Sequence, residues 1–140
     1  VNVISHFYFT KLAIPMLKNN KGGSIINISS TAGIMGFALR SPYAASKWAI
    51  IGVTKTLAIE LGKFKIRVNA IAPTITDTEL AAKFLRNERM VESTIQRHPL
   101  KKYLEPTEVA AMATYLLSDV SKSISGQIFN LDCGIVSLKL

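Results

Sequence analysis

The sequence predicts an α/β fold built on a parallel sheet, and two observations carry that expectation. Three short runs, residues 24–29 (SIINIS), 67–73 (RVNAIAP) and 127–132 (QIFNLD), have strand length and are rich in branched or aromatic residues that suit a pleated, buried surface. Helical periodicity occupies the intervals between them, and strands separated by crossover helices pair in parallel rather than as hairpins.

The elements follow in order. Residues 3–14 read as a helix that Pro15 kinks or ends. A long helix after the first strand carries Ile50, Val53, Leu57 and Leu61 at spacings of three and four, with Gly62 as its C-cap. Residues 75–103 form an excursion after the second strand. A last helix opens at Pro106 and presents Val109, Met112, Ala113 and Leu116 on one face. Three parallel strands leave two bare edges, and the sequence begins in mid-helix without a lead-in strand. Residues 1–140 therefore read as the C-terminal portion of one doubly wound parallel-sheet domain, three parallel strands with crossover helices, whose N-terminal half is absent.

Composition narrows the function. With 140 residues, 49% of them apolar, the chain suits a single globular domain and is not disordered. A lone cysteine, Cys133, excludes an internal disulfide and points to a reducing compartment. No apolar run has the length of a membrane span, and Asn2, Ser5, His6 and Lys11 break any signal-peptide core, so a cytoplasmic protein without a membrane partner is expected. The net charge is +8, and residues 1–59 hold Lys11, Lys18, Lys21, Arg40, Lys47 and Lys55 with no carboxylate. These cations are widely spaced and outside any nucleic-acid motif, so they read as a solvated surface and no nucleic-acid partner is expected. His6 and His98 lie far apart without a cysteine or carboxylate cluster, so no metal site is expected.

The most specific local pattern is YAASK, Tyr43 to Lys47. A spacing of four puts phenol and ammonium on one helical face. A nearby cation favours a phenolate, which suits a tyrosine to general acid/base work near neutral pH. Alone, the pattern equally fits a surface pair. Its context is Ser29-Ser30 at the end of the first strand, and the carboxyl ends of parallel strands are where ligands bind in such sheets.

Together these residues resemble the C-terminal half of a short-chain dehydrogenase/reductase, a Rossmann-like family. Further stretches agree in order and spacing: Asn2 with the helix after it, GSIINISS ending at Ser30, RVNAIAP ending at Pro73, LEPTEVA, and the closing SGQ and DCG. The resemblance implies an NAD(P)-dependent oxidoreductase interconverting a secondary alcohol and a ketone. Tyr43 exchanges the proton with substrate oxygen, Lys47 tunes it and holds the nicotinamide ribose, Ser30 holds the substrate oxygen, and Asn2 anchors a water relay. Cofactor contacts fall to Tyr43, Lys47, Pro73, Thr74, Thr76 and Thr78. The cofactor is NAD or NADP, since the glycine-rich fingerprint and the residue choosing between them belong to the absent half. The resemblance also implies a homodimer or homotetramer joined through the first two helices, with Trp48 packing in the core or at that interface. Residues 75–103 become a substrate lid with an apolar face of Phe84, Leu85, Met90, Val91 and Ile95.

Two positions depart from the family pattern. Thr74 stands where the family has glycine and brings a branched side chain toward the nicotinamide. Cys133 replaces the middle glycine of a usual Asp-Gly-Gly. A rival reading is a catalytically inactive Rossmann-like binding or scaffold protein.

Overall fold

A computed structural model describes residues 2–79, 81–82 and 86–136. Helix α1 (Ile4–Asn19) leads into strand β1 (Gly23–Ile28), a 3-10 turn (Thr31–Gly33) and helix α2 (Ser41–Gly62). Strand β2 (Ile66–Pro73) follows, then helix α3 (Glu88–Gln96), helix α4 (Pro106–Leu117), a second 3-10 turn (Asp119–Ser121) and strand β3 (Ile128–Leu131). The three strands pair in parallel in the order β1-β2-β3, with Ile25 opposite Val68 and Ile71 opposite Phe129.

Alternation along the strands assigns the two sheet faces. Ile25, Ile66 and Val68 pack with Leu57 and Leu61 of α2 and with Ile14 and Leu17 of α1. Asn27 points the same way and donates its amide to Thr54 on α2 at 2.9 Å. Residues of opposite parity face α4 and the turn after it. Ser24 donates to Leu116 O at 2.9 Å, Arg67 donates to Ser121 Oγ and Ser118 O, and Asn69 donates to Ile124 O. Helices thus cover both faces, which explains why β2 is buried along most of its length. Leu116 is fully buried and Val109, Met112 and Ala113 are half-buried, as the periodicity of α4 predicts. Pro106 takes its first turn, and Glu105 and Glu108 form a reciprocal capping box.

Three local expectations are corrected. Pro15 does not end α1, which runs to Asn19. One backbone bond is lost there, but Ile14 and Leu17 anchor the last turns to the core, and Gly22 N donates to Leu17 O to close the end. Gly62 is not the C-cap of α2 but its last helical residue. Lys63 caps the helix, and the chain reverses at Lys65, whose φ is 59°. The first strand stops at Ile28, one residue early, because Ser29 and Ser30 turn the chain toward α2.

Among the described residues, no helix is long and apolar enough to cross a membrane.

Candidate active site

The site begins where β1 ends. Lys47 Nζ donates to Ile28 O at 3.0 Å, so the ammonium sits at the carboxyl end of the strand. Partial burial pushes this lysine below its ordinary pKa. The helix backbone behind it is held as well, since Ser29 Oγ donates to Lys47 O at 2.9 Å. Gly33 in the 3-10 turn lies against the same carbonyl. A Cβ there would fall 2.7 Å from Lys47 O and 2.5 Å from Ser29 Oγ. Only glycine permits this approach of turn to helix.

Tyr43 lies one turn before Lys47, in the first turn of α2, which Pro42 helps to start. Its ring is 42% exposed and its centroid is 5.7 Å from Lys47 Nζ, so phenol and ammonium share one face as the spacing predicts. Ser30 closes the group. Its extended backbone caps the 3-10 turn and its Oγ accepts from Ala32 N at 3.2 Å. That bond uses only the oxygen's acceptor capacity, so the hydroxyl proton is left to donate. Ser30 is therefore both the structural cap and an available donor.

Asn2 joins the group from the opposite direction. It stands in a turn ahead of α1, where Val3 is the N-cap. Its side-chain amide donates to Ser46 Oγ at 3.3 Å, and Ser46 Oγ donates to Tyr43 O at 2.7 Å. The asparagine thus reaches the first turns of α2 through a serine that the sequence does not single out. His6, one turn further on, holds a pKa below its usual value, chiefly through burial.

The second side of the site is the end of β2. Pro73 is its last residue, and Thr74 N continues the ladder to Leu131 O at 2.8 Å. The Thr74 hydroxyl is 2.7 Å from Nε2 of His98, a residue only 1% exposed. The branched side chain therefore has a partner of its own in the loop after α3. Thr76 donates to Thr74 O and bridges to Leu104, while Thr78 accepts from Ala81 N in an exposed turn. The hydroxyls of Thr76 and Thr78 are thus engaged in local turns.

Helix α3 has no buried residue. Val91 and Ile95 are half-buried and Met90 is 48% exposed, while Phe84 and Leu85 lie outside the described residues. Trp48 is 51% exposed and does not belong to the core. No group of three His, Cys, Asp or Glu residues gathers among the described residues. Ser29, Gly33, Ser46 and His98 shape the site without announcing themselves in the sequence, because each acts on a residue distant along the chain or on backbone.

Comparison with known proteins finds relatives along nearly the whole chain. The family model described as "Enoyl-(Acyl carrier protein) reductase" matches residues 1–136. A 3-oxoacyl-(acyl-carrier-protein) reductase of Thermotoga maritima is 40% identical over 136 residues, 97% of this chain and 54% of that protein. A tropinone reductase homolog of Datura stramonium is 43% identical over 136 residues, 95% of this chain and 51% of the relative. The structure of 4-hydroxyisoleucine dehydrogenase complexed with NADH superposes with a TM-score of 0.94 at 34% identity, covering 99% of this chain and 58% of the other. Another solved structure of this fold holds NADPH. The chain spans about half the length of the curated relatives it matches.

Proposed function

The chain belongs to the short-chain dehydrogenase/reductase family, and from that premise we propose that it is the substrate-side half of an NAD(P)-dependent oxidoreductase interconverting a secondary alcohol and a ketone. The observation that carries the reading is the placement of Lys47. Its ammonium is anchored at the carboxyl end of β1, on Ile28 O two residues before Ser30, and on the same helix face as an accessible Tyr43.

The donor set fits the nicotinamide end of a dinucleotide. Lys47 has three N–H donors and among the described residues Ile28 takes one, so two remain for a ribose hydroxyl and the phenol. Thr74 and Pro73 bring the end of β2 to the same side. Hydride exchange is the chemistry that a bound nicotinamide supplies here. The chain's own residues handle the proton: the Tyr43 hydroxyl exchanges it with the substrate oxygen, and the Ser30 hydroxyl donates to that oxygen as its charge changes. Lys47 stabilises the phenolate left behind. Asn2 steadies the first turns of α2 through Ser46, which in turn holds Tyr43 O.

Residues 1–140 are, in this reading, the later portion of one dinucleotide-binding domain. An open, mostly apolar groove of about 380 Å³ between α1 and β1, lined by Phe9, Ala13, Ile25 and Ile26, supports a further packed layer there. The outward face of α1 and α2 supports assembly with a second copy, since Leu12 and Ile59 are 74% and 83% exposed. Residues 75–103 form the substrate cover.

The test is Tyr43→Phe in the complete enzyme. Turnover falls by about 100-fold or more, the usual worth of a positioned acid/base, while cofactor affinity, read by fluorescence titration, stays near wild type. Activity above about a tenth of wild type corresponds to less than ~1.4 kcal/mol and ends the acid/base assignment.

A further inference from the structure

We propose that Thr74 and His98 are a positioning pair that clamps the segment carrying α3 to the carboxyl end of β2, and so sets how the substrate cover sits over the site. This deepens the oxidoreductase reading and its kinetic consequence rests on it.

The hydrogen bonds fix the direction of the contact. His98 Nδ1 is 2.7 Å from Thr94 O, and a carbonyl can only accept, so Nδ1 carries the proton. In the neutral imidazole Nε2 is then a bare acceptor, and the Thr74 hydroxyl 2.7 Å away must donate to it. Both ring nitrogens are satisfied within a residue that is 1% exposed. The backbone of the same residue is also held, with His98 N donating to Ile95 O and Lys101 N donating to His98 O.

The loop behind the ring is seated on the neighbouring strand end. Leu100 N donates to Cys133 O at 3.2 Å, and Pro99 lies against Gly134 so closely that a Cβ on that glycine would be 3.0 Å from its ring. Thr74 N is bonded to Leu131 O, at the end of the same strand. One partner of the clamp therefore rests on the end of β3 and the other on the turn that follows it, and the Thr74–His98 bond closes the triangle. Helix α3 buries none of its residues, so the attachment at its C-terminal end carries much of its placement. A side chain at the strand end nearest the proposed nicotinamide is thus turned toward the cover rather than into the open site.

The pair acts on substrate placement and leaves the Tyr43–Lys47 chemistry on α2 untouched. In the complete enzyme, His98→Leu removes the acceptor and leaves the half-buried Thr74 hydroxyl without its partner. Amides of residues 88–98 then exchange hydrogen about tenfold faster, and KM for the alcohol or ketone rises about five- to tenfold with kcat within about twofold. His98→Gln, which offers an amide oxygen near the Nε2 position, restores both readouts toward wild type. Thr74→Val, read by exchange alone, reproduces the loosening and serves where the leucine variant fails to fold. Unchanged exchange in the folded variants overturns the clamp, as does a glutamine variant as loose as the leucine one. Faster exchange with an unchanged KM overturns its role in substrate placement. Exchange is read without turnover, so a wild-type protein inactive on every alcohol and ketone refutes the oxidoreductase reading while the clamp is still decided.

Discussion

The two sides of the candidate site are built differently. On the β1–α2 side, a strand end, a 3-10 turn and a 22-residue helix meet closely: Ile28 O accepts from the Lys47 ammonium, while Ser29 Oγ and Gly33 both lie against Lys47 O. On the β2–β3 side, the described residues between 74 and 104 are held by hydrogen bonds between loops, with a short helix that fully buries none of its residues. The difference matches the demands that the proposed oxidoreductase chemistry would place on each side. A proton donor needs a fixed position within a fraction of an ångström, whereas a substrate cover must admit and release its ligand. The rigid side also carries the Lys47 ammonium, and the adaptable side carries the hydroxyl–imidazole contact.

If that contrast is right, the largest effect comes from the rigid side. Lys47→Ala removes both the ammonium beside Tyr43 and its tie to Ile28 O. Turnover in the complete enzyme falls by about 100- to 10,000-fold, the range of a lost acid/base component, and cofactor affinity weakens as well because a ribose donor is gone. The fold survives, since a partly buried charge has been deleted rather than stranded. Steady-state kinetics with cofactor titration checks this. A variant within tenfold of wild type would move the chemistry away from α2.

A smaller effect separates backbone contact from side-chain chemistry on the same side. Gly33→Ala deletes no candidate catalytic group but drives a methyl into Ser29 Oγ and Lys47 O. Overpacking of this kind costs about 1–3 kcal/mol. We expect a lower urea midpoint in the complete enzyme, together with reduced kcat as Lys47 is pushed off the strand end. An alanine variant with wild-type stability and turnover would show that the turn and helix can slide apart, and the rigid side would not be rigid.

The rigid side was also the legible one. Tyr43 and Lys47 are four residues apart on one helix, and Ser30 follows a strand, so local periodicity and strand-end position place all three. The contacts that hold them are not local. Ser29 reaches Lys47 across 18 residues, Asn2 reaches Ser46 across 44, and Thr74 reaches His98 across 24. No pattern of apolar spacing encodes such pairs. Parallel pairing and the buried face of α4 were readable because crossover helices dictate the one and helical period the other, whereas the order of strands in the sheet was not. The path of α1 through Pro15 was not, because tertiary packing of Ile14 and Leu17 overrides the local penalty. Thr74 read as bulk near a cofactor because its partner, a lone histidine far along the chain, had been weighed only as a metal ligand.

The smallest effect belongs to the adaptable side. Cys133 has φ 52° and is 6% exposed, in the turn that also receives Leu100 N. The left-handed region costs a non-glycine residue about 1–2 kcal/mol, so glycine at this position relieves strain. Against that gain, Cys133→Gly gives up a buried thiol, worth about 1 kcal/mol, and adds freedom to the unfolded chain, worth about 0.4–1 kcal/mol. These terms nearly cancel, and thermal unfolding of the complete enzyme should shift stability by no more than about 1 kcal/mol in either direction. The same methyl-sized change at Gly33 runs in the opposite sense and meets helix backbone, where nothing offsets it. A loss above about 2 kcal/mol for the glycine variant would mean that the thiol is packed as tightly as the α2 side. The turn under the substrate cover would then share the rigidity of the catalytic wall, and the division between the two sides would fail.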